Sequence, residues 1–259
     1  TWPWPSRLIG RVISTAWALH YIHRKLNLLH WRWPRFVLLR DSWRRFLTVG
    51  LPATGTMIVL PLSGALLTRI LAGFGDPAVA AWGSGGRVDM FAFMILMAMG
   101  SVLLPFVSQN EGAGRHDRSR RGVNWALRFG LLYAALVGAA VVLAAPHLAR
   151  IFSADPAVLR PLTSYLRIIG ACYPAVAVAI MCYHGLMGLD RPLVAMWLTL
   201  VRNLGIYVPL AWLGSRWLGV PGVLWGVFAG AWFSALMAWL IYRHYEHRAR
   251  PDAVSTSPA

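Results

Sequence analysis

Six apolar runs dominate the chain, at 46–71, 78–106, 123–147, 162–188, 193–213 and 219–242. Each matches or exceeds the roughly 20 helical residues that cross a hydrocarbon core of about 30 Å. They show no alternation of period two, so the strands of a membrane barrel are excluded. Within lipid every backbone N–H and C=O must find a partner inside the protein, which leaves a bundle of helices. The sequence therefore predicts an all-α, polytopic transmembrane helical bundle with six membrane-spanning helices. A shorter run at 8–23, interrupted by Arg11, predicts a partial seventh helix. On this reading 1–23 is the remnant of a preceding transmembrane helix, with 1–7 given no structure. Residues 24–45 form a basic cytoplasmic linker, 46–245 the six-helix lobe, and 246–259 a disordered cytoplasmic tail. The chain opens on Thr1 without a basic, apolar and small-residue leader, and reads as a piece of something longer.

Charge fixes the expected orientation. Only 13% of residues are charged and 58% are apolar, against about 25% charged in an ordinary soluble domain. Yet 25 Lys and Arg face 9 Asp and Glu, a net charge of +16. Placement separates a membrane reading from a nucleic-acid one. Fifteen basic residues fall in 24–45, 107–122, 189–192 and the stretch from 243, and three (Arg150, Arg160, Arg216) in the loops of the other side. Basic loops stay in the cytoplasm, so the expectation is a multi-pass protein of the inner (cytoplasmic) membrane with a cytoplasmic C-terminus. The lipid bilayer is its partner and no nucleic acid is needed. The 14 Trp fit the same picture, since Trp gathers at membrane interfaces.

Punctuation within the runs predicts bends. Pro52 and Pro61 interrupt the first, Pro174 the fourth and Pro209 the fifth, and each removes a helix hydrogen bond. Cys172 and Cys182, the only cysteines, read as small packing residues. The pairs His20/His23 and His244/His247, and His184 near Cys182, do not converge into the three or more ligands a metal needs, so no metal site and no cofactor are expected. Nucleotide-binding, serine-hydrolase and zinc-protease motifs are missing, which argues against an enzyme.

Ionisable groups inside spans cost about 2.5–3.5 kcal/mol each on insertion scales and are functional candidates. Asp89 and Arg87 lie in the second run and Arg202 in the fifth. Two residues apart, Arg87 and Asp89 point to different sides of one helix. The expectation is that Asp89 faces a central cavity and either pairs with Arg202 or attracts a substrate cation. Asn203 is a candidate for a bond across helices. Tyr173 and Tyr207, with Trp197, are candidates to stack on a cation. Met57 and Met181, with Met94, Met97, Met99 and Met187, are candidates for an adaptable apolar surface.

The most specific stretch is VSQNEGAGRHDRSRRG, 107–122. Gly112 and Gly114 permit a tight turn, Asp117 is placed to cap the next helix, and the cluster begun by Arg115 and Arg118 meets anionic headgroups. With Gln109 and Asn110 this segment resembles the cytoplasmic loop of each half of the multidrug and toxic compound extrusion (MATE) family. FLTVGLPATG (46–55), VAAWGSGGRVDMF (79–91), IFSADPAVL (151–159), GLMGLDRP (185–192) and GVPGVLWG (219–226) resemble that family's second half, in order.

The resemblance implies the C-terminal lobe of a twelve-helix antiporter, its N-terminal lobe being the missing partner. It implies export of small cationic amphipathic molecules in exchange for H⁺ or Na⁺. Where some members carry a Glu this chain has Leu60, and 162–188 holds no acid, so coupling depends on the missing lobe or on Asp89. The alternatives are a lipid-linked precursor or polysaccharide flippase of the wider superfamily, or a non-transporting membrane scaffold.

Overall fold

The computed structural model describes residues 4–25 and 36–248, and everything described is helix or short connection. The order is α1 (Trp4–Lys25), α2 (Phe36–Ala72), α3 (Asp76–Gly112), α4 (His116–Phe152), α5 (Pro156–Gly170), α6 (Tyr173–Gly188), α7 (Pro192–Leu200) and α8 (Val208–Arg248). A wider π-type turn, Val201–Tyr207, joins the last two. Two compact units divide within α2, Thr1–Thr48 and Val49–Ala259. In the first, helix begins at Trp4 rather than after residue 7 and resumes at Phe36, inside the expected linker of 24–45. Residues 26–35, and the expected tail beyond Arg248, lie outside the described residues.

The second unit holds the core. Leu96, Val107, Leu162, Leu166, Met181 and Leu186 are fully buried where α3, α4, α5 and α6 pack, and the far end of α8 closes over them. Helices of 37 residues such as α3 and α4 run about 55 Å, well past a bilayer core. Their shared turn is built as expected around Gly114, at φ 68°, with Ala113 N–H donating to Gln109 O and Arg115 N–H to Asn110 O.

Two departures from straight helix organise this unit. The run 162–188 is not one span. It breaks at Ala171–Cys172, just before Pro174, and α5 and α6 meet at 52°. Pro174 stands in the first turn of α6, where its missing N–H costs nothing and its fixed φ suits a helix start. The second departure is Pro209. It supplies no N–H and crowds the preceding turn, and the backbone widens upstream, with Val208 N–H donating to Asn203 O.

Among the described residues, three helical stretches are long and apolar enough to cross a membrane, and four if the α5/α6 pair counts as one. This is fewer than the six expected, for two physical reasons. Pro192–Glu246 passes as a single stretch, although Gly219 (φ 64°, ψ −139°) turns the chain back on itself. The two arms touch so closely that a Cβ on Gly214 would strike the Gly222 carbonyl. Of α2, the apolar described part is only Met57–Ala72.

Candidate functional site

Asp89 sits midway along α3, and one face of that helix is shaped around it. Trp82, Gly85, Asp89 and Phe93 recur at intervals of three and four, so they line a single stripe. Tyr165 of α5 and Tyr173 of α6 land on this stripe from either side of the break. Tyr165 Oη donates to one carboxylate oxygen of Asp89 at 2.6 Å, and Tyr173 Oη donates to the other at 2.8 Å. Hydrogen bonds to an ionised acceptor are short and about twice as strong as neutral ones. Eight residues along an unbroken helix rise about 12 Å, so the bend helps both hydroxyls reach one carboxylate.

The surroundings hold the tyrosines in place. The Tyr165 ring lies directly on Gly85, where a Cβ would overlap it, and meets Trp82 edge-on at 5.2 Å. Tyr173 is buried and meets Phe93 edge-on at 4.8 Å. Tyr133 of α4 donates to the Ala92 carbonyl at 3.0 Å and ties the same stretch of α3 from behind.

The pairing expected between Asp89 and Arg202 does not form. Among the described residues the ion pairs are Glu111–His116 at 2.6 Å and Arg120–Glu246 at 3.5 Å. The tyrosines take both oxygens of Asp89, and Arg202 lies on the π-type turn. Its guanidinium carbon is 6.0 Å from the Tyr207 ring centroid, and its buried Nε has no acceptor among the described residues. Next to it Asn203 is buried. Its amide donates to Thr199 O at 2.8 Å, and its oxygen lies 3.5 Å from Ser63 Oγ of α2, a hydroxyl that also reaches Leu60 O at 3.0 Å. Arg87 is exposed on another side of α3.

Other candidates scatter. Met57 is 76% exposed on α2, whereas Met181 is 0% exposed and belongs to the core, so it offers no surface to a ligand. Met94 and Met97 are exposed; Met99 and Met187 pack against the core. In the loop, Asn110 Nδ2 donates to Phe106 O at 2.7 Å, and Arg118 sits 5.9 Å over the Phe106 ring. Asp117 does not cap α4. Arg115 occupies the cap position without a side-chain bond, and Asp117 stands inside the first turn near the helix's positive end. His184 Nδ1 donates to Ile180 O at 2.9 Å, and its ring fills the space over Gly100.

Sequence reasoning missed Tyr165, Gly85, Ser63, Thr199 and the Glu111–His116 pair. The stripe Trp82–Gly85–Asp89–Phe93 was the available signal for the first two, since a glycine one turn before a half-buried acid leaves room for a ring.

Comparison with known proteins agrees with this architecture. The family profile MatE matches residues 52–213. The FAD transporter of Shewanella oneidensis is 32% identical over 186 residues, 72% of this chain and 41% of that protein. "Probable multidrug resistance protein YpnP" of Bacillus subtilis is 27% identical over 94% of this chain and 54% of its own length. In structure, the bent form of the Vibrio cholerae MATE transporter VcmN superposes with a TM-score of 0.80 at 26% identity, over 90% of this chain and 52% of that one. The chain spans about half the length of the relatives it matches. On this fold, and on a profile match that covers most of the chain, the protein belongs to the MATE family of membrane transporters.

Proposed function

We propose that this chain supplies the second lobe of a cation-coupled antiporter of the cytoplasmic membrane, with Asp89 as its ion-responsive group. A first lobe completes the central cavity, and alternating access proceeds by rocking of the two lobes. The observation that carries this reading is the acid inside a span, held by two hydroxyls that straddle a helix break.

Arrival of H⁺ changes the bonding. A neutral carboxyl has one O–H donor and can no longer serve as acceptor at every lone pair. One tyrosine must then turn or withdraw. A Na⁺ would displace the hydroxyl hydrogens in the same way and draw in oxygen lone pairs. Because Tyr165 and Tyr173 belong to different segments, release of one alters the restraint on the 52° bend. An ion that binds one bend angle better than the other shifts the population between them.

For the substrate, small cationic amphipathic drugs are the first reading, supported by relatives named for multidrug resistance and by the exposed methionines Met57, Met94 and Met97. A second reading is an anionic aromatic dinucleotide, as the name of the Shewanella relative suggests. It is favoured by Arg202, whose buried Nε lacks an acceptor, while the one acid identified within the spans is already engaged.

The test is export by the intact transporter in a drug-sensitive bacterium, following ethidium from preloaded cells and FAD in the medium. Asp89→Asn should abolish export of whichever compound is carried. Unchanged export by Asp89→Asn would remove Asp89 from the mechanism. FAD export without ethidium export would select the second reading.

A further inference from the structure

The geometry points to a phosphate-binding pocket between the end of α4 and the start of α5, separate from the Asp89 site and from the substrate readings above. Pro146 and Arg150 lie one turn apart on α4, and Arg160, Thr163 and Ser164 share one face of α5 at intervals of three and four. With Leu159 they line an open surface cavity of about 340 Å³, a volume in the range of small-ligand sites, with both arginines exposed.

Three observations give the pocket its chemistry. First, neither guanidinium makes a hydrogen bond, ion pair or ring contact among the described residues. Second, no acid lines the cavity. Asp155, the acid nearest in sequence, spends its Oδ1 on the Ala157 N–H at 2.8 Å as the cap of α5. Third, Arg160 follows directly on the first turn of α5. That end of a helix is positive, favours anions and gives a cation no gain.

Topology sharpens the point. On the orientation expected from the sequence, the loops of this side hold three basic residues against fifteen for the other, and two of those three line this cavity. Two planar guanidinium forks and two hydroxyls offer more donors than a carboxylate's two oxygens can use. They match the oxygens of a phosphate group, which Arg binds in bidentate fashion. The phosphate comes either from a lipid headgroup at the membrane surface or from a soluble phosphate ester, and the pocket chemistry is the same for both.

The experiment is native mass spectrometry of the intact, detergent-solubilised protein titrated with phosphatidylglycerol, and separately with glycerol 1-phosphate as competitor. Arg150→Gln/Arg160→Gln should weaken phosphatidylglycerol binding roughly fivefold per arginine. Thr163→Val/Ser164→Ala, which keeps both charges and the helix, should weaken it by about fivefold per hydroxyl lost. Arg150→Lys/Arg160→Lys should retain most of the affinity and serves as the folding control. Competition by glycerol 1-phosphate assigns a soluble source, and its failure to compete assigns the lipid. Binding by both the Gln and the hydroxyl variants equal to that of the parent overturns the pocket and leaves two interfacial arginines with no ligand.

Discussion

Asp89 and Arg202 are both ionisable groups at the middle of apolar runs, and the fold treats them in opposite ways. Asp89 has a donor for each oxygen, supplied by two tyrosines that a helix break aims at it. Arg202 stands where Pro209 has widened the helix. Its neighbour Asn203 is bonded on both sides, while its own buried Nε is left without an acceptor. Each site sits beside a proline-induced departure from the α-helix. At Asp89 the departure brings partners in, and at Arg202 it leaves the cation open. A satisfied buried group specifies one arrangement, whereas an unsatisfied one waits for something else.

Filling the space under Tyr165 should break this contrast with the largest effect. Gly85→Leu puts a branched side chain where the ring lies, and overpacking of this kind costs about 1–3 kcal/mol. The displaced Tyr165 also gives up its bond to Asp89, worth about 1.5–3 kcal/mol more. Unfolding of the intact protein in mixed micelles should reveal that loss, and export should fall with it because Tyr165 no longer reaches Asp89. A fully stable Gly85→Leu protein would mean that the ring docks elsewhere.

Next in size are the hydroxyls themselves. Tyr165→Phe and Tyr173→Phe each remove one bond to the carboxylate, worth about 1.5–3 kcal/mol for a charged acceptor. Paired with Asp89→Asn in a double-mutant cycle, each should show a coupling above about 0.5 kcal/mol. Additive energies would separate the tyrosines from Asp89 despite their distances.

These tests concern features that were legible to very different degrees. The helices were legible because long apolar runs admit little else, and the turn at 112–115 because Gly114 supplies the positive φ it needs. Asp89 stood out because an acid among Trp, Met and Phe is conspicuous. Its partners did not, since Tyr165 is 76 residues away and a tyrosine in an apolar run resembles any interfacial aromatic. Opposite charge made Arg202 the natural partner for Asp89. What decided otherwise was the break at Ala171–Cys172, which is a property of how α5 and α6 pack on α3. Pro174 marked that break as a bend, but its 52° angle and its consequence for two hydroxyls lie beyond sequence pattern. Met181 shows the same limit: a methionine's spacing does not say whether it faces the core or the outside.

The smallest effect is expected at Arg202, and there a near-zero result is the informative one. Arg202→Met keeps the apolar stem of the side chain while deleting the guanidinium, its charge and its contact with Tyr207. A buried charge with an unpaired N–H contributes little to folding, and an apolar group of similar volume is often neutral or better. Stability should therefore change by no more than about 1 kcal/mol, in contrast to the hydroxyl deletions around Asp89. Ser63→Ala gives the reference scale, since its single hydroxyl hydrogen is shared between Leu60 O at 3.0 Å on its own helix and Asn203 Oδ1 at 3.5 Å, and its loss should cost about 0.5 kcal/mol. If Arg202→Met is instead destabilised as strongly as Tyr165→Phe, the guanidinium has a structural acceptor outside the described residues. The second region would then be as satisfied as the first. If stability holds and export of an anionic compound alone is lost, the open cation is where that compound's charge is met.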